Sequence, residues 1–398
     1  MPTLNLSVTP VTTRSLHKEF RDFPYQLYGS DPYWVPPLRR LEDQRWSPEH
    51  NPSLRQRWCQ RWLVRRQGQV VGRVAAVIDE EFARRWAPGA GWFGFFECTP
   101  DPEAARALLE TAAETLVRQG RTWVLGPVNL TMHDEVGLLV EGHHARPMLL
   151  SPYNPPYYEQ LIRGCGFTPR CDYHAYAWST DRPQTPAVQR LRRRLSPSES
   201  LPAGMRLRPS HPRRWKEDAR VLWELYNASF TDTWGFVPLC WEEFEERASQ
   251  FRRFYIPELV QFAEVAGQPV GFALILPDVN AALAGLGGRF WPLGWLRLAL
   301  RMPRVRTGRL ILLGVLPNFR GAGLAALLAH GCAEAARRLG FCRGELSLVH
   351  GDNRPMRHVI DAFGGQQCKT YRLFEKPLAS SAAGLPSGAL HGSLAVPV

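Results

Sequence analysis

The apolar positions in the second half of the chain predict a strand, a helix, a strand, a helix and a final strand, in that order. An apolar run over 309–316 ends at Pro317, and the leucines that follow fall at helical spacing as far as Leu339. The next apolar run begins at Glu345, a loop containing Asn353 follows, and the last strand passes through Tyr371. This alternation predicts an α/β fold.

The chain also carries an internal repeat. Residues 68–79 align with residues 267–278 at an offset of 199, and both segments predict a hairpin turn that enters a strand. Asn154 aligns with Asn353 at the same offset, and Tyr173 aligns with Tyr371 at an offset of 198. Agreement in both order and spacing predicts two copies of one unit.

The turn between the 309–316 strand and its helix is the clearest candidate for a binding site. Its glycines allow close approach to a ligand, and the first N–H groups of the helix are unpaired donors at the positive end of the helix dipole. An anion such as a pyrophosphate is expected there. The residues of this turn are Arg320, Gly321, Ala322, Gly323, Leu324 and Ala325.

The spacing Arg-x-x-Gly-x-Ala resembles the acyl-CoA-binding signature of the GNAT acetyltransferase superfamily, and the elements after it follow the GNAT order. The resemblance implies tandem GNAT-like domains, each with a central mixed sheet flanked by helices. It also implies that acyl-CoA is the co-substrate and an amine the acceptor. Backbone groups near Gly314 and Val315 would contact the pantetheine arm and the thioester, and Asn353 would contact the coenzyme.

The first copy lacks the glycines of this turn. Thr99-Pro100-Asp101-Pro102 stands in their place, and proline has no N–H while an aspartate repels phosphate. We expect this copy to have lost cofactor binding. Its segments 126–139 and 151–158 are rich in polar and aromatic groups, and they are candidates for the wall of an acceptor pocket.

These patterns divide the chain into four parts. Residues 1–180 are predicted to form a degenerate GNAT-like domain, and residues 181–203, dense in Pro, Ser and Arg, a linker. Residues 204–378 are predicted to form the acyl-CoA-binding domain, with an apolar insertion over 281–309. The small, polar and Gly-rich segment 379–398 is predicted to be a disordered tail.

The catalytic groups are less clearly marked than the turn. Many GNAT enzymes carry a tyrosine acid seven residues after the asparagine, where this chain has Ile360, so Tyr371 or solvent is left to protonate the thiolate. The glutamate often used as base is also missing from the 309–316 strand. Asp278 at a strand end, Glu345 and His350 remain as three candidate bases.

The acceptor region is expected to be apolar. The loop 228–239 lies where GNAT enzymes contact acceptors, and it contains Trp234 and Phe236; Asn280 is a further candidate contact. The insertion 281–309 interleaves aromatic and aliphatic residues with arginines. Such a segment can lie in a membrane interface, cover an acyl-chain channel, or pack as a helix on the neighbouring domain.

The composition and charge favour coenzyme A or anionic lipids over nucleic acid as partners. The net charge of +12 comes almost wholly from arginine, since only four of the 49 basic residues are lysines, and no nucleic-acid fold signature accompanies it. A basic surface also attracts the phosphates of coenzyme A or anionic lipid headgroups. The eight cysteines lack metal-type spacing, so no metal is expected. The chain shows neither a signal-peptide pattern nor a membrane-length apolar run, which favours the cytoplasm, with peripheral contact at the inner membrane face through 281–309.

Motifs across nearly the whole chain, including YNPPYYEQL, TWGFVPL and KTYRLFEK, resemble a group of two-domain bacterial GNAT-like proteins that includes ceramide synthases. The resemblance implies an acyl-CoA-dependent N-acyltransferase of lipid metabolism that acylates a long-chain, sphingoid-like amine. Two alternatives remain open at this point. One is an N-acetyltransferase for a small or peptide amine, and the other is a GNAT fold kept as a non-catalytic CoA-binding module.

Overall fold

The computed structural model describes residues 6–180, 185–194, 204–289, 293–321 and 323–378. Ala322, most of the predicted linker and the predicted tail 379–398 therefore lie outside the described residues. The described part of the linker forms a helix over Pro186–Arg194. Six helices precede it in the chain, so it is labelled α7.

The first half builds seven strands and six helices within the described residues. Its strands are β1 (Leu6–Pro10), β2 (Trp58–Arg66), β3 (Gln69–Ile78), β4 (Ala90–Cys98), β5 (Trp123–Gly126), β6 (Leu138–Glu141) and β7 (Thr168–Ser179). Its helices are α1 (Arg14–Leu27), α2 (Arg39–Arg45), α3 (Pro52–Arg55), α4 (Glu80–Arg85), α5 (Pro102–Arg118) and α6 (Tyr158–Gly164).

Within the described residues, the second half repeats this order of strands except that β6 has no counterpart. Its strands are β8 (Met205–Pro209), β9 (Val260–Val265), β10 (Gln268–Pro277), β11 (Thr307–Val315), β12 (Arg343–His350) and β13 (Gln366–Pro377). Its helices are α8 (Trp215–Phe230), α9 (Trp241–Phe251), α10 (Val279–Leu283), α11 (Gly294–Arg301), α12 (Leu324–Arg338) and α13 (Arg354–Ala362). None of the helices in the described residues combines the length and the apolar character needed to cross a bilayer.

The two hairpin turns predicted from the repeat are confirmed. Gln67 and Gly68 join β2 to β3 with φ of 51° and 79°, and Ala266 and Gly267 join β9 to β10 with φ of 49° and 79°. Two consecutive positive φ angles match the right-handed twist of the flanking strands, which is why glycine is favoured at the second position.

Within the described residues the strands form one sheet, in the order β1-β2-β3-β4-β5-β13-β7-β12-β11-β10-β9-β8, with β6 also paired to β13. The last strand of each half is exchanged. β13 pairs with β5 of the first half, whereas β7 pairs with β12 of the second half. The two sequence halves are therefore interlocked in space, a feature that the sequence did not predict.

The centre of the sheet lies between the two exchanged strands. β7 and β13 run antiparallel, and Tyr173 is paired directly with Tyr371, its own equivalent in the repeat. A residue that pairs antiparallel with its repeat equivalent lies on a local two-fold axis. The tandem architecture is thus a pseudo-symmetric pair of mixed sheets joined edge to edge.

The two faces of the sheet have different coverings. Helix α5 packs over Val64, Val74 and Ala76, and helix α12 packs over Ala263, Val270 and Leu313 on the same face. Because side chains alternate along a strand, the opposite face carries Tyr173 and Tyr371, and there α8 packs on Phe262 and Phe272. The central part of this second face encloses a large cavity.

Candidate active site

The second half contains an opening between two neighbouring parallel strands. β11 and β12 are paired only from Thr307 to Leu310 and from Arg343 to Leu346. Beyond that point β11 follows β10 as far as Val315, while β12 follows β7 as far as His350. The register of β10 and β11 shifts at Leu274/Ile275, which leaves one extra residue on β11, and a bulge of this kind bends a strand away from its neighbour.

Within the described residues, this opening leaves the inner edges of both strands without a partner strand. The inner edge of β11 includes Gly314 and Val315, which were predicted to contact the pantetheine arm. Gly314 is tightly packed, because a Cβ there would lie 2.7 Å from the Phe272 ring. Amide groups of an extended thioester arm are suited to such an edge, since they can continue the hydrogen-bonding pattern of a strand.

The predicted phosphate turn follows directly. Gly321 and Gly323 have φ of 80° and 75°, and no atom lies within 4 Å of a Cβ built on either residue. Gly323 is the N-cap of α12 and provides no side-chain cap, so the first N–H groups of the helix remain open. Arg320 donates to the Ser229 carbonyl oxygen at 2.8 Å and ties the turn to α8. The geometry fits a diphosphate group.

The remaining residues of the turn have structural as well as backbone roles. The Leu324 side chain is 2% exposed and belongs to the core beneath α12, so only its backbone faces the turn. Ala325 packs against the same core. Asn353 is the N-cap of α13, and its side-chain oxygen accepts from the Met356 N–H at 3.1 Å.

The corresponding opening of the first half is filled by the chain itself. β4 and β5 pair only from Ala90 to Trp92 and from Trp123 to Leu125. The segment after β5 then enters the gap, where the Val128 N–H donates to the Phe93 carbonyl at 2.9 Å. The Asn129 side-chain oxygen accepts from the Phe95 N–H at 2.6 Å. The chain itself therefore occupies the position between these two strands.

Two of the three candidate bases lie at the closed end of the second opening. Glu345 is buried, binds Lys369 Nζ at 2.7 Å and accepts from the Ser347 hydroxyl at 2.8 Å. Asp278 has one carboxylate oxygen without a partner among the described residues, and burial raises its pKa, with the charge of Glu345 adding to that effect. Neither carboxylate lies at the open ends of the strands.

His350 lies at the open end. Its ring is edge-on to Tyr173, with centroids 5.2 Å apart, and 5.9 Å from the ring of Trp234. Burial lowers its pKa, and the Asp352 carboxylate 3.9 Å from Nδ1 partly opposes that shift. The Asp352 N–H also donates to Nδ1 at 3.2 Å.

The tyrosines paired on the local axis differ in their surroundings. Tyr371 is fully buried, its hydroxyl has no hydrogen-bond partner in the described part of the chain, and burial raises its pKa. The Tyr173 hydroxyl also lacks a partner there, but Tyr173 lines the cavity. Burial, together with the neighbouring Cys171 thiol, raises the pKa of Tyr173, so its hydroxyl stays protonated. The sequence search missed Tyr173, although its alignment with Tyr371 was a signal.

The cavity has a volume of about 620 Å³ and is lined by both halves. That volume lies within the range of about 300–1,000 Å³ that small-molecule sites occupy. It reaches the opening of the second half at Leu312 and Leu348. The polar and aromatic segments 126–139 and 151–158 both contribute to its wall, as expected for an acceptor pocket. Asn280 lines it as well and donates to the Pro147 carbonyl at 2.9 Å.

One side of the cavity is apolar. Its residues come from both halves, and of them only Leu283 lies in the insertion that the sequence analysis marked out: Val35, Leu38, Leu149, Leu276 and Leu283. Phe236 is buried behind the wall, against Tyr226 and His133. Trp234 stands beside His350 and packs edge-on to Phe82.

The other side is polar, and several of its groups are bonded to one another. His133 is bonded to the Tyr226 hydroxyl and to the Val237 carbonyl oxygen, both at 2.7 Å, and burial lowers its pKa to about 4. Asp134 forms an ion pair with Arg247 at 2.6 Å. His133 and Asp134 are thus held in fixed positions by their partners. The hydroxyls of Tyr173 and Ser151, in contrast, have no partner among the described residues.

Comparison with known proteins agrees with this geometry. The model of the acetyltransferase (GNAT) family matches residues 219–364, which contain the open strands and the predicted phosphate turn. Over 384 residues, the chain is 33% identical to a bacterial ceramide synthase of Caulobacter vibrioides (strain NA1000 / CB15N), covering 94% of this chain and 98% of that protein. The chain belongs to the GNAT family. It is an N-acyltransferase of that family, with two GNAT units in tandem.

Other known proteins also match over most of the chain. Protein YghO of Escherichia coli (strain K12) is 31% identical, over 91% of this chain and 93% of its own length. A solved tandem GNAT protein from the clavulanic acid biosynthesis pathway superposes with a TM-score of 0.54 at 16% identity, covering 95% of this chain and all of that one. A GCN5-related N-acetyltransferase from Sphaerobacter thermophilus gives a TM-score of 0.53 at 14% identity, covering 95% of this chain and 97% of that chain. The predicted tandem GNAT fold is therefore confirmed.

Proposed function

We propose that this GNAT enzyme transfers an acyl group from a long-chain acyl-CoA to the primary amine of a long-chain, sphingoid-like lipid. The observation that carries the proposal is that the opening for the coenzyme joins the cavity for the acceptor. The opening between β11 and β12 reaches a 620 Å³ cavity that has a continuous apolar side. The identity to a protein named bacterial ceramide synthase supports the lipid acceptor.

In this proposal the acyl-CoA enters from the face that carries α12. Its diphosphate is held by the N–H groups that follow Gly323, while Arg320 fixes the turn. The pantetheine arm lies along the free edge of β11, with Asn353 nearby at the start of α13. The thioester then faces the cavity, where the amine arrives from the opposite side of the sheet.

The reaction needs a neutral amine, a stabilised oxyanion and a protonated leaving group. The amine nitrogen forms a bond to the thioester carbon, and a backbone N–H near Gly314 or Val315 stabilises the oxyanion. The C–S bond then breaks and the amide is formed. The thiolate takes a proton from an acid, and the amine loses one proton to a base.

We assign the acid role to Tyr173. It lines the cavity, its hydroxyl is free of partners among the described residues, and its strand is hydrogen-bonded to the open end of β12. Because the thiolate is a good leaving group near neutral pH, the acid is expected to contribute a modest factor. Tyr371 shares the local axis but is closed off from the cavity.

Among the three candidate bases, we favour His350. It is the one that lies at the open end, whereas Asp278 and Glu345 lie in a buried cluster with Lys369 that supports the closed end. In the structure Nδ1 accepts from the Asp352 N–H, so Nε2 can act as the base only if this contact is replaced by an Nδ1–H that faces the Asp352 carboxylate. The ring itself lies against Tyr173, which brings the proposed acid and base together.

The acceptor contacts follow from the same arrangement. Asn280 and the apolar side of the cavity would receive the lipid chain, and Trp234 would cover the reacting end beside His350. Phe236 would act indirectly, by supporting Tyr226 and His133 in the wall. A lipid acceptor resides in a membrane, so the proposal includes a cytoplasmic protein that contacts the membrane surface.

The test is a substrate screen. Purified protein is incubated with acyl-CoAs of increasing length and with either sphinganine or a soluble primary amine, and both amide formation and thiol release are measured. The proposal predicts amide from long-chain acyl-CoA and sphinganine. Amide formed from acetyl-CoA and the soluble amine alone would instead assign an ordinary acetyltransferase, and no thiol release with any pair would leave a CoA-binding module.

A further inference from the structure

The insertion of the second half exposes an unusual amount of apolar surface. Of the six large apolar side chains that are exposed in the described part of the chain, four lie within eight consecutive residues of the α11 region: Leu293, Trp295, Leu296 and Leu300. Leu300 is 56% exposed and Leu293 is 54% exposed. An apolar cluster of this kind on a polar-rimmed surface marks an interaction site.

The same helix is anchored on its inner side. Leu298 is buried against Val35 and Leu283, and those two residues also line the cavity. The thickness of helix α11 therefore separates the exposed leucines from the apolar side of the cavity. Leu41, a fifth exposed apolar residue, belongs to the cavity wall itself and marks an edge of the cavity that is open to solvent.

The charge around this surface has one sign. Between Val279 and Arg309 the sequence contains six arginines and no acidic residue. Arg289, Arg297, Arg301, Arg304 and Arg306 are all exposed. Arg301, Arg304 and Arg306 donate hydrogen bonds to backbone carbonyl oxygens, so their positive charges remain available.

We propose that this surface, Leu293, Trp295, Leu296 and Leu300 with the surrounding arginines, docks on a lipid bilayer that contains anionic headgroups. Leucines enter the acyl region, a tryptophan favours the interface, and the arginines bind phosphates. A second copy of the chain is a poorer occupant, because a symmetric contact would bring two sets of arginines together. The proposal rests on the proposed function, since docking brings the apolar side of the cavity to the membrane that holds the acceptor.

The experiment uses the full chain and sucrose-loaded vesicles. One set contains phosphatidylcholine alone, and the other contains equal parts of phosphatidylcholine and phosphatidylglycerol. The test variant is Arg297→Glu with Leu300→Glu. The control variant is Arg338→Glu with Leu339→Glu at the carboxyl end of α12, which makes the same changes in charge and residue type at another exposed place.

We expect the protein to sediment with the mixed vesicles far more than with phosphatidylcholine. The test variant should bind roughly 10-fold more weakly and the control within about twofold of the unmodified chain. Acylation of sphinganine in vesicles should fall in the test variant only. Thiol release with long-chain acyl-CoA and sphinganine dispersed in detergent, without vesicles, should be equal in both variants, so failure of docking is distinguished from failure of the enzyme.

Three results would overturn the proposal. One is the absence of vesicle binding for the unmodified chain, and another is equal binding by the test and control variants. The third is a dimer, measured by light scattering, that forms in the unmodified chain and the control variant but not in the test variant, because the surface would then be an interface between copies. Loss of thiol release in the unmodified chain would bear on the proposed function and not on docking.

Discussion

The two halves of the molecule share one fold but differ at the amino-terminal end of the helix that follows their fourth strand, which is α5 in the first half and α12 in the second. In the first half, Asp101 caps α5 and accepts from the Glu103 and Ala104 N–H groups, both at 3.1 Å. In the second half, Gly323 caps α12 with no side chain. The protein itself thus supplies the anion at one helix end and leaves the other end free for a ligand.

The difference extends to the sheet. Val128 and Asn129 fill the opening of the first half, while the opening of the second half leads into the cavity. The filled half keeps a role, because its segment after β5 and its residues around α2 form walls of that cavity. In our proposal one repeat provides the donor site and the other provides part of the acceptor site, although the fold is shared.

The largest expected effect comes from giving the second helix the charge of the first. Gly323→Asp should weaken CoA binding by about 100-fold or more, because a carboxylate would meet the diphosphate at close range. Gly323→Asn is the matched control, since both residues tolerate positive φ and differ in charge. Calorimetry measures both affinities, and an equal loss in the two variants would show that backbone strain, not charge, is responsible.

The next effect separates the two tyrosines on the local axis. Tyr173→Phe should lower kcat by roughly 30-fold with little change in KM, because an acid acts on the leaving thiolate and not on binding. Tyr371→Phe, the repeat-equivalent control, should stay within about twofold. Steady-state thiol release measures both variants. An equal fall in both variants would contradict the assignment of Tyr173.

A smaller effect concerns His350. As a base it must be neutral, and because burial lowers its pKa, kcat/KM should rise with pH to a midpoint below the usual value for histidine and be flat above it. His350→Gln should remove that acidic limb and lower the rate at neutral pH by roughly 10-fold. The profile requires an acceptor amine of low pKa. A limb that persists in the variant would assign the base elsewhere.

The smallest effect lies in the first half. Asp101→Ala should cost about 1 kcal/mol of folding free energy through loss of the helix cap, with CoA affinity unchanged. Urea unfolding measures the cost. Glu103→Ala is the control, because it also loses a contact with Arg66 but keeps the cap, and it should cost a few tenths of a kcal/mol. A change in CoA affinity with Asp101→Ala would mean that the first half binds the coenzyme.

Local patterns in the sequence predicted much of this structure. The equivalent glycines at 68 and 267 mark hairpins because these turns need a positive φ. The turn around Gly323 can be recognised from the sequence because glycine at the start of a helix provides no side-chain cap. The exchange of β7 and β13 could not be predicted, since either partner strand satisfies the same apolar alternation. For the same reason Tyr173 was missed, because its position beside β12 depends on a pairing between distant segments.

The candidate site shows the same division. Glu345 has the alternation of a strand residue, and nothing in its surroundings along the chain indicates Lys369 as its partner. Val35, Leu38 and Leu149 reach the cavity through tertiary packing across the two halves. A backbone site can be recognised from a short motif, whereas a cavity between two interlocked halves requires the fold.

The central claim is that one of the two openings binds the coenzyme, and the stoichiometry of CoA binding tests it most directly. Isothermal titration of the unmodified, folded chain with CoA is predicted to give one equivalent per chain. Two equivalents per chain, or no detectable binding of CoA and its long-chain esters, would contradict the account.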